Sequence, residues 1–247
     1  MGAELKMRLN NILIVTSFVG LLVSFWNRND LPGDIDYVPE IANEPEQTRT
    51  DTRPFHAKVN DVEYLIEPEY AYDLTGMIVS YRHHEGNSRM HLQANDHLNM
   101  ADVCVVWGDN TKSDLQAIDF WNGIFTCNVF TRDMAAWESF DMNQLSNNHL
   151  ISDDEFIRRQ ARKIQVGDQI RVRGYLASYS NEGGGKRGTS TTRTDTGDGA
   201  CETVFVEYFR IVQPATSVWR ISMWISLALL LFGLLVHFRR PYKPYKD

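Results

Sequence analysis

The residues with the most chemical potential lie late in the chain. Cys201 follows the polar, glycine-containing run Arg193-Thr194-Asp195-Thr196-Gly197-Asp198-Gly199-Ala200 and is followed by Glu202. Upstream, Ser146-Asn147-Asn148-His149-Leu150-Ile151 carries an imidazole. A cysteine nucleophile needs a base for its proton and a donor for the oxyanion it creates. His149 can be the base, and Arg210 or Arg193 the donor. Opposing this, the acidic neighbours Asp198 and Glu202 disfavour a thiolate. The plainer reading of 193–202 is a turn whose Asp side chains bond their own backbone. Between these stands a ligand loop built from Arg193, Asp195, Thr196, Gly197, Asp198, Gly199, Cys201 and Glu202, with Asn148 and His149 beside it.

Other constellations are weaker. Asp195-Thr196-Gly197 copies the aspartic-protease triplet, but polar residues 190–194 stand where an apolar strand is needed. Asp195, Asp198 and Glu202 offer oxygen ligands to Ca²⁺, without EF-hand spacing. His83, His84, His91 and His97, with Glu85 and Asp96, form an imidazole group. A Zn²⁺ or Cu²⁺ site wants fixed spacing on rigid elements, and these residues read as a solvated loop. No cofactor is expected. Trp107, Trp121 and Trp137 are either a stacking face or, more commonly, core. The three cysteines, Cys104, Cys127 and Cys201, allow one disulfide and one thiol, and spacing does not choose the pair. Cys104 and Cys127 also fit core strands as small apolar residues.

Positioning these residues falls to a domain held between two apolar ends. The chain has 247 residues and a net charge of −7. Residues 12–26 (ILIVTSFVGLLVSFW), extended by Leu9, and 221–238 (ISMWISLALLLFGLLVHF) are each long enough to cross a hydrocarbon core. Bulky Phe25-Trp26 stands where a cleavable signal needs small residues, so the first run is expected to remain as an anchor. Lys6 and Arg8 precede it, and Arg239, Arg240, Lys243 and Lys246 follow the second. The positive-inside rule then places both termini in the cytoplasm and about 29–216 outside it. That middle carries 17 Lys and Arg against 30 Asp and Glu, which argues against nucleic acid as a partner.

The expected divisions are 1–28 (terminus and span), 29–54 (acidic, proline-rich linker), 55–216 (exposed domain) and 217–247 (span and basic tail). Alternating patterns predict strands at 55–59 and 62–66 around an Asn60-Asp61 turn and at 169–179, and runs rich in β-branched and aromatic residues predict strands at 75–81, 101–107 and 203–212. Gly123 breaks the apolar run 118–131, and a Thr-rich strand is expected at 187–193. Residues 152–163 predict the one helix, capped by Ser152. The whole reads as mainly β: a small barrel of the oligonucleotide/oligosaccharide-binding (OB) type with one helix, flanked by two transmembrane helices. Gly174 is where a barrel strand can bend.

The motifs SNNHLI (146–151) and RTDTGDGACE (193–202), with Val166-Gly167-Asp168 and Gly174-Tyr175-Leu176, resemble an uncharacterised family of bacterial membrane-anchored proteins over about residues 60–212. The resemblance implies a bacterial inner-membrane setting and brings no activity with it; with both termini in the cytoplasm, the exposed domain then faces the periplasm of a Gram-negative bacterium. His then Cys then Arg in a membrane-anchored β-barrel is similar in order to sortase transpeptidases, but the Thr-Leu-x-Thr-Cys motif is absent. The expected function is a binding or assembly module for another envelope or membrane protein. The alternative is a cysteine transpeptidase or peptidase using Cys201, His149 and Arg210.

Overall fold

In the computed structural model the chain is described over residues 3–84, 95–123, 125–182, 185–192 and 201–239. Four helices appear there: α1 (Ala3–Trp26), α2 (Met134–Ser139), α3 (Glu155–Ala161) and α4 (Val218–Phe238). The chain divides into a unit made of the two terminal segments, up to Pro32 and from Thr216, and a unit spanning Gly33–Ala215.

The terminal unit pairs α1 with α4, both long and apolar enough to cross a membrane. Lipid tails give apolar side chains no reason to leave them, so close backbone approach and polar contacts must join such helices. Asn10, Ser17 and Ser24, seven residues apart, are the buried polar positions of α1. Asn10 Nδ2 donates to the Gly233 carbonyl at 3.1 Å. A Cβ on Gly233 would come within 2.8 Å of Ile14, so its absence permits the approach.

The central unit is mainly sheet. Its strands are β1 (Glu46–Arg49), β2 (Phe55–Val59), β3 (Val62–His83), β4 (Asn99–Val106), β5 (Asp119–Asn122), β6 (Cys127–Phe130), β7 (Leu145–Ile151), β8 (Gln169–Asn181), β9 (Lys186–Arg187) and β10 (Glu202–Gln213). The β2–β3 turn is the expected one, with Asn60 and Asp61 both at positive φ, as a two-residue hairpin requires. β3 pairs with β4, β4 with β7, β7 with β10, β10 with β8, and β8 again with β3. Only β7–β10 is parallel in this circuit. Ile170, Val172 and Leu176 form the expected apolar face of β8 and are fully buried, with Leu74, Ile78, Val105, Leu150 and Val204. The β5–β6 hairpin forms its own two-stranded sheet.

Several elements differ from the sequence expectation. Within 29–54, Ile41 is buried and β1 pairs with β3, because an acidic, proline-rich composition limits helix without preventing one strand from finding an edge. Of the expected 187–193 strand, Arg187 falls in β9, residues 188–192 form no strand because Thr189 and Ser190 bond through side chains instead, and Arg193 lies outside the described residues. A second short helix, α2, is capped by Asp133. The cap of α3 is Asp154, not Ser152, whose hydroxyl donates to the Val206 carbonyl at 3.0 Å.

At Gly174 the backbone of β8 runs close against β10. An added Cβ would stand 1.9 Å from the Phe205 carbonyl oxygen, beside the irregularity between Val206 and Tyr208. Backbone cannot yield as a flexible side chain does, so Gly174→Ala should cost about 3 kcal/mol or more. Chemical denaturation of the detergent-solubilised chain measures this, and an unchanged midpoint would remove Gly174 as a packing requirement.

Candidate functional site

Four neighbouring strands bring four polar side chains into one row. The register of β4 against β7 sets Asp102 opposite His149, and that of β10 against β7 sets Thr203 beside His149. Cys201 immediately precedes β10, and His84 immediately follows β3. Side chains alternate along a strand, so Asn147 and His149 share one face of β7 while Asn148 takes the other.

Asp102 is fully buried among apolar neighbours of β4. Its Oδ1 lies 2.5 Å from His149 Nδ1 and accepts Asn99 Nδ2 at 3.0 Å. Its Oδ2 lies 2.7 Å from His84 Nε2. With Nδ1 engaged by Asp102, the His149 ring also interacts with the Cys201 side chain. Asn147 Nδ2 donates to Cys201 Sγ at 3.3 Å, and the Ser190 N–H holds the Cys201 carbonyl at 2.8 Å.

Over this row lies the tip of the β5–β6 hairpin. The Phe125 carbonyl accepts from Asn147 Nδ2 at 3.0 Å and from the Cys201 thiol at 3.3 Å. Its ring sits 5.7 Å from His149 and 6.4 Å from His84, with the Arg187 guanidinium 4.0 Å from its centre. Phe125 has φ 60°, an unfavourable conformation for a bulky residue that its surroundings must impose. Cys127, two residues on, is joined by a disulfide to Cys104 in β4. That settles the pairing which spacing left open, and Cys201 is the free, half-buried cysteine.

Burial disfavours a charge on His149, but its hydrogen bonds to Asp102 and Cys201 outweigh burial and hold it up at about 9. Burial likewise opposes the Asp102 anion, yet the two imidazoles on its oxygens hold the carboxyl well below the usual carboxylate range. A nucleophile, a base and an orienting carboxylate in sequence are the parts of covalent acyl transfer.

The structure gathers only some of the residues singled out by sequence. Cys201 and His149 meet. Arg210 does not join them: it is exposed on β10, eight residues past Glu202, or about 26 Å along the strand. Asn148 and Glu202 pair across β7–β10 but turn to the opposite face from His149. Arg193, Asp195, Thr196, Gly197, Asp198 and Gly199 lie outside the described residues, as do Glu85 and His91. The histidine group divides, with His84 on Asp102 and His97 near Asn95. Among the described residues no three His, Cys, Asp or Glu side chains group as a metal ion needs. Trp107 is core, whereas Trp121 and Trp137 are exposed. A groove of about 490 Å³, lined by Glu46, Tyr72, Arg173, Tyr175 and Glu207 among others, lies down β10 and apart from Cys201. Sequence reasoning missed Asp102, Asn147 and Phe125. The available signal was Asp102 itself, an acid alone in the apolar strand ADVCVVW. Comparison with family models, with curated proteins and with solved structures finds no match.

An unfolded histidine titrates near 6.5, so the stability His149 contributes is fully present below that pH and is lost as pH rises towards about 9. Its ceiling is roughly 3 kcal/mol. Asp102 acts in the opposite window, contributing above about pH 4 and losing that contribution as pH falls. The full chain should therefore melt at progressively lower temperature between pH 6.5 and 9. His149→Gln should flatten that slope, and equal slopes in the two melting series would refute the assignment.

Proposed function

We propose that the protein is a membrane-anchored, extracytoplasmic cysteine enzyme of acyl transfer, a peptidase or transpeptidase. The observation that carries it is the buried Asp102–His149 pair at 2.5 Å, with the Cys201 side chain interacting with the same imidazole. In the reaction, the Cys201 sulfur attacks an amide carbonyl carbon after its proton passes to His149. His149 returns that proton to the departing amine, leaving an acyl thioester on Cys201. Water or an acceptor amine then attacks the thioester, loses a proton to His149, and restores the thiol. Asn147, whose amide is 3.3 Å from Sγ, takes the donor role that Arg210 cannot reach. Phe125 must lift for a substrate to enter.

Three further assignments belong to the same proposal. The strand circuit, with one parallel pair and α3 between β7 and β8, supports an OB-type barrel. The flanking basic residues and the disulfide support a domain outside the cytoplasm, in the periplasm of a bacterium, as the family resemblance implies. One observation favours a second reading, the binding or assembly module. Trp121, Phe130, Met134 and Trp137 are all exposed on the β5–β6 hairpin and α2, a surface suited to another envelope or membrane protein.

The experiment is acylation of the detergent-solubilised full chain by 4-nitrophenyl acetate, followed by peptide mass spectrometry. The expected result is a burst of about one nitrophenolate per chain with acetate on Cys201. Cys201→Ala should abolish the burst, and His149→Gln should slow it on the order of a hundredfold or more. A wild-type chain without a burst, at equal rates with Cys201→Ala, would leave the module reading in place.

A further inference from the structure

The catalytic line continues, on the side away from Cys201, to a second imidazole that the proposed steps do not use. His84 leaves β3 with its backbone N–H on the Met100 carbonyl at 3.0 Å, which sets its side chain beside β4. Its Nε2 is 2.7 Å from Asp102 Oδ2, and both side chains are almost wholly withdrawn from solvent. The other carboxylate oxygen is already taken, by His149 and Asn99.

A carboxylate turns about its last side-chain bond in a broad, two-fold well. Contacts on Oδ1 alone leave that rotation and the second oxygen unconstrained, and a buried anionic oxygen without a donor is expensive. The His84 ring brings Nε2 to 2.7 Å from that second oxygen and so limits the rotation. Among the described residues, the ionisable groups around His84 are His83 beside it in β3, Asp102 on β4, His149 on β7, Cys201 before β10, and Arg187 of β9, reaching over the Phe125 ring with Asp96 behind it at 3.4 Å.

We propose that His84 is a positioning residue: its Nε2–H pins Asp102 so that Oδ1 stays aimed at His149 Nδ1, which keeps the other nitrogen of His149 on Cys201. The assignment rests on Cys201 being the nucleophile. A purely structural His84 would lower the melting temperature when removed and leave the pH dependence of Cys201 chemistry where it was.

The test is the rate of Cys201 alkylation by iodoacetamide in the detergent-solubilised full chain, measured from mildly acidic to alkaline pH. His84→Met keeps apolar bulk and removes the donor, whereas His84→Gln restores an amide N–H on a side chain of similar reach. Wild type should show a rate plateau extending below the pH at which an ordinary thiol reacts. His84→Met should lose that plateau, with the rate there falling tenfold to a hundredfold, and His84→Gln should recover most of it. Should His84→Met fail to fold, nitrogen NMR of the histidine-labelled wild type decides, since the proposal requires hydrogen on Nε2 of His84. A wild-type plateau unchanged in His84→Met, or hydrogen on Nδ1 instead, overturns the positioning role alone. A wild type without any plateau overturns the nucleophile beneath it and the positioning role together.

Discussion

A carboxylate removed from water inside a sheet is the constraint around which this domain is arranged. Asp102 lies between Ala101 and Val103, both fully buried. An ion so placed costs several kcal/mol unless donors replace its hydration. The donors come from Asn99 on its own strand and His149 across the β4–β7 ladder, while His84 just past β3 brings Nε2 to 2.7 Å from the other oxygen. A slip of one residue in the β4–β7 pairing would turn His149 to the other face and leave the anion without its main partner. Strand register and the ionisation of the site are therefore one requirement.

The same requirement explains why the hairpin β5–β6 is fastened so thoroughly. An isolated two-stranded hairpin is marginal in water, and this one makes no ladder to the main sheet. The Cys104–Cys127 disulfide ties it to β4, and Asn122 reaches Asn147 from it at 3.4 Å. Its tip then presents the Phe125 carbonyl to Cys201 and its ring to both imidazoles. Covering a charged pair with an aromatic ring lowers the local dielectric and strengthens every polar contact beneath it. The unfavourable φ of Phe125 is held in place by those contacts.

At the termini, different physics applies. Asn10, Ser17 and Ser24 line the buried side of α1, while most of its apolar residues point outward. In a soluble helix pair the apolar stripe would be inside. The reversal is what two helices need when their surroundings are as apolar as their side chains.

Much of the architecture was legible in the residues. Apolar runs of spanning length, the Asn60-Asp61 turn, the alternation in β8, the β-branched and aromatic run of β10 and the acid-to-base order of the 152–163 helix depend on local chemistry, and each produced its element. Strand β7 was not legible, because Ser146-Asn147-Asn148 reads as a loop by composition and becomes a strand only between β4 and β10. Nor was β1, an edge strand within an acidic, proline-rich segment. Cys201 and His149 were visible as chemical types, and their pairing was one option among several. Arg210 looked equally suitable, since residue type carries no distance. By itself, then, the sequence determined which segments are apolar enough for membrane or core, and which side chains are able to react. Only the tertiary structure decided that Asp102 would be buried, that two histidines would share it, and that Cys201 would stand at the end of their row. Those outcomes depend on pairings among strands far apart in the chain, where register, and not local preference, sets which groups touch.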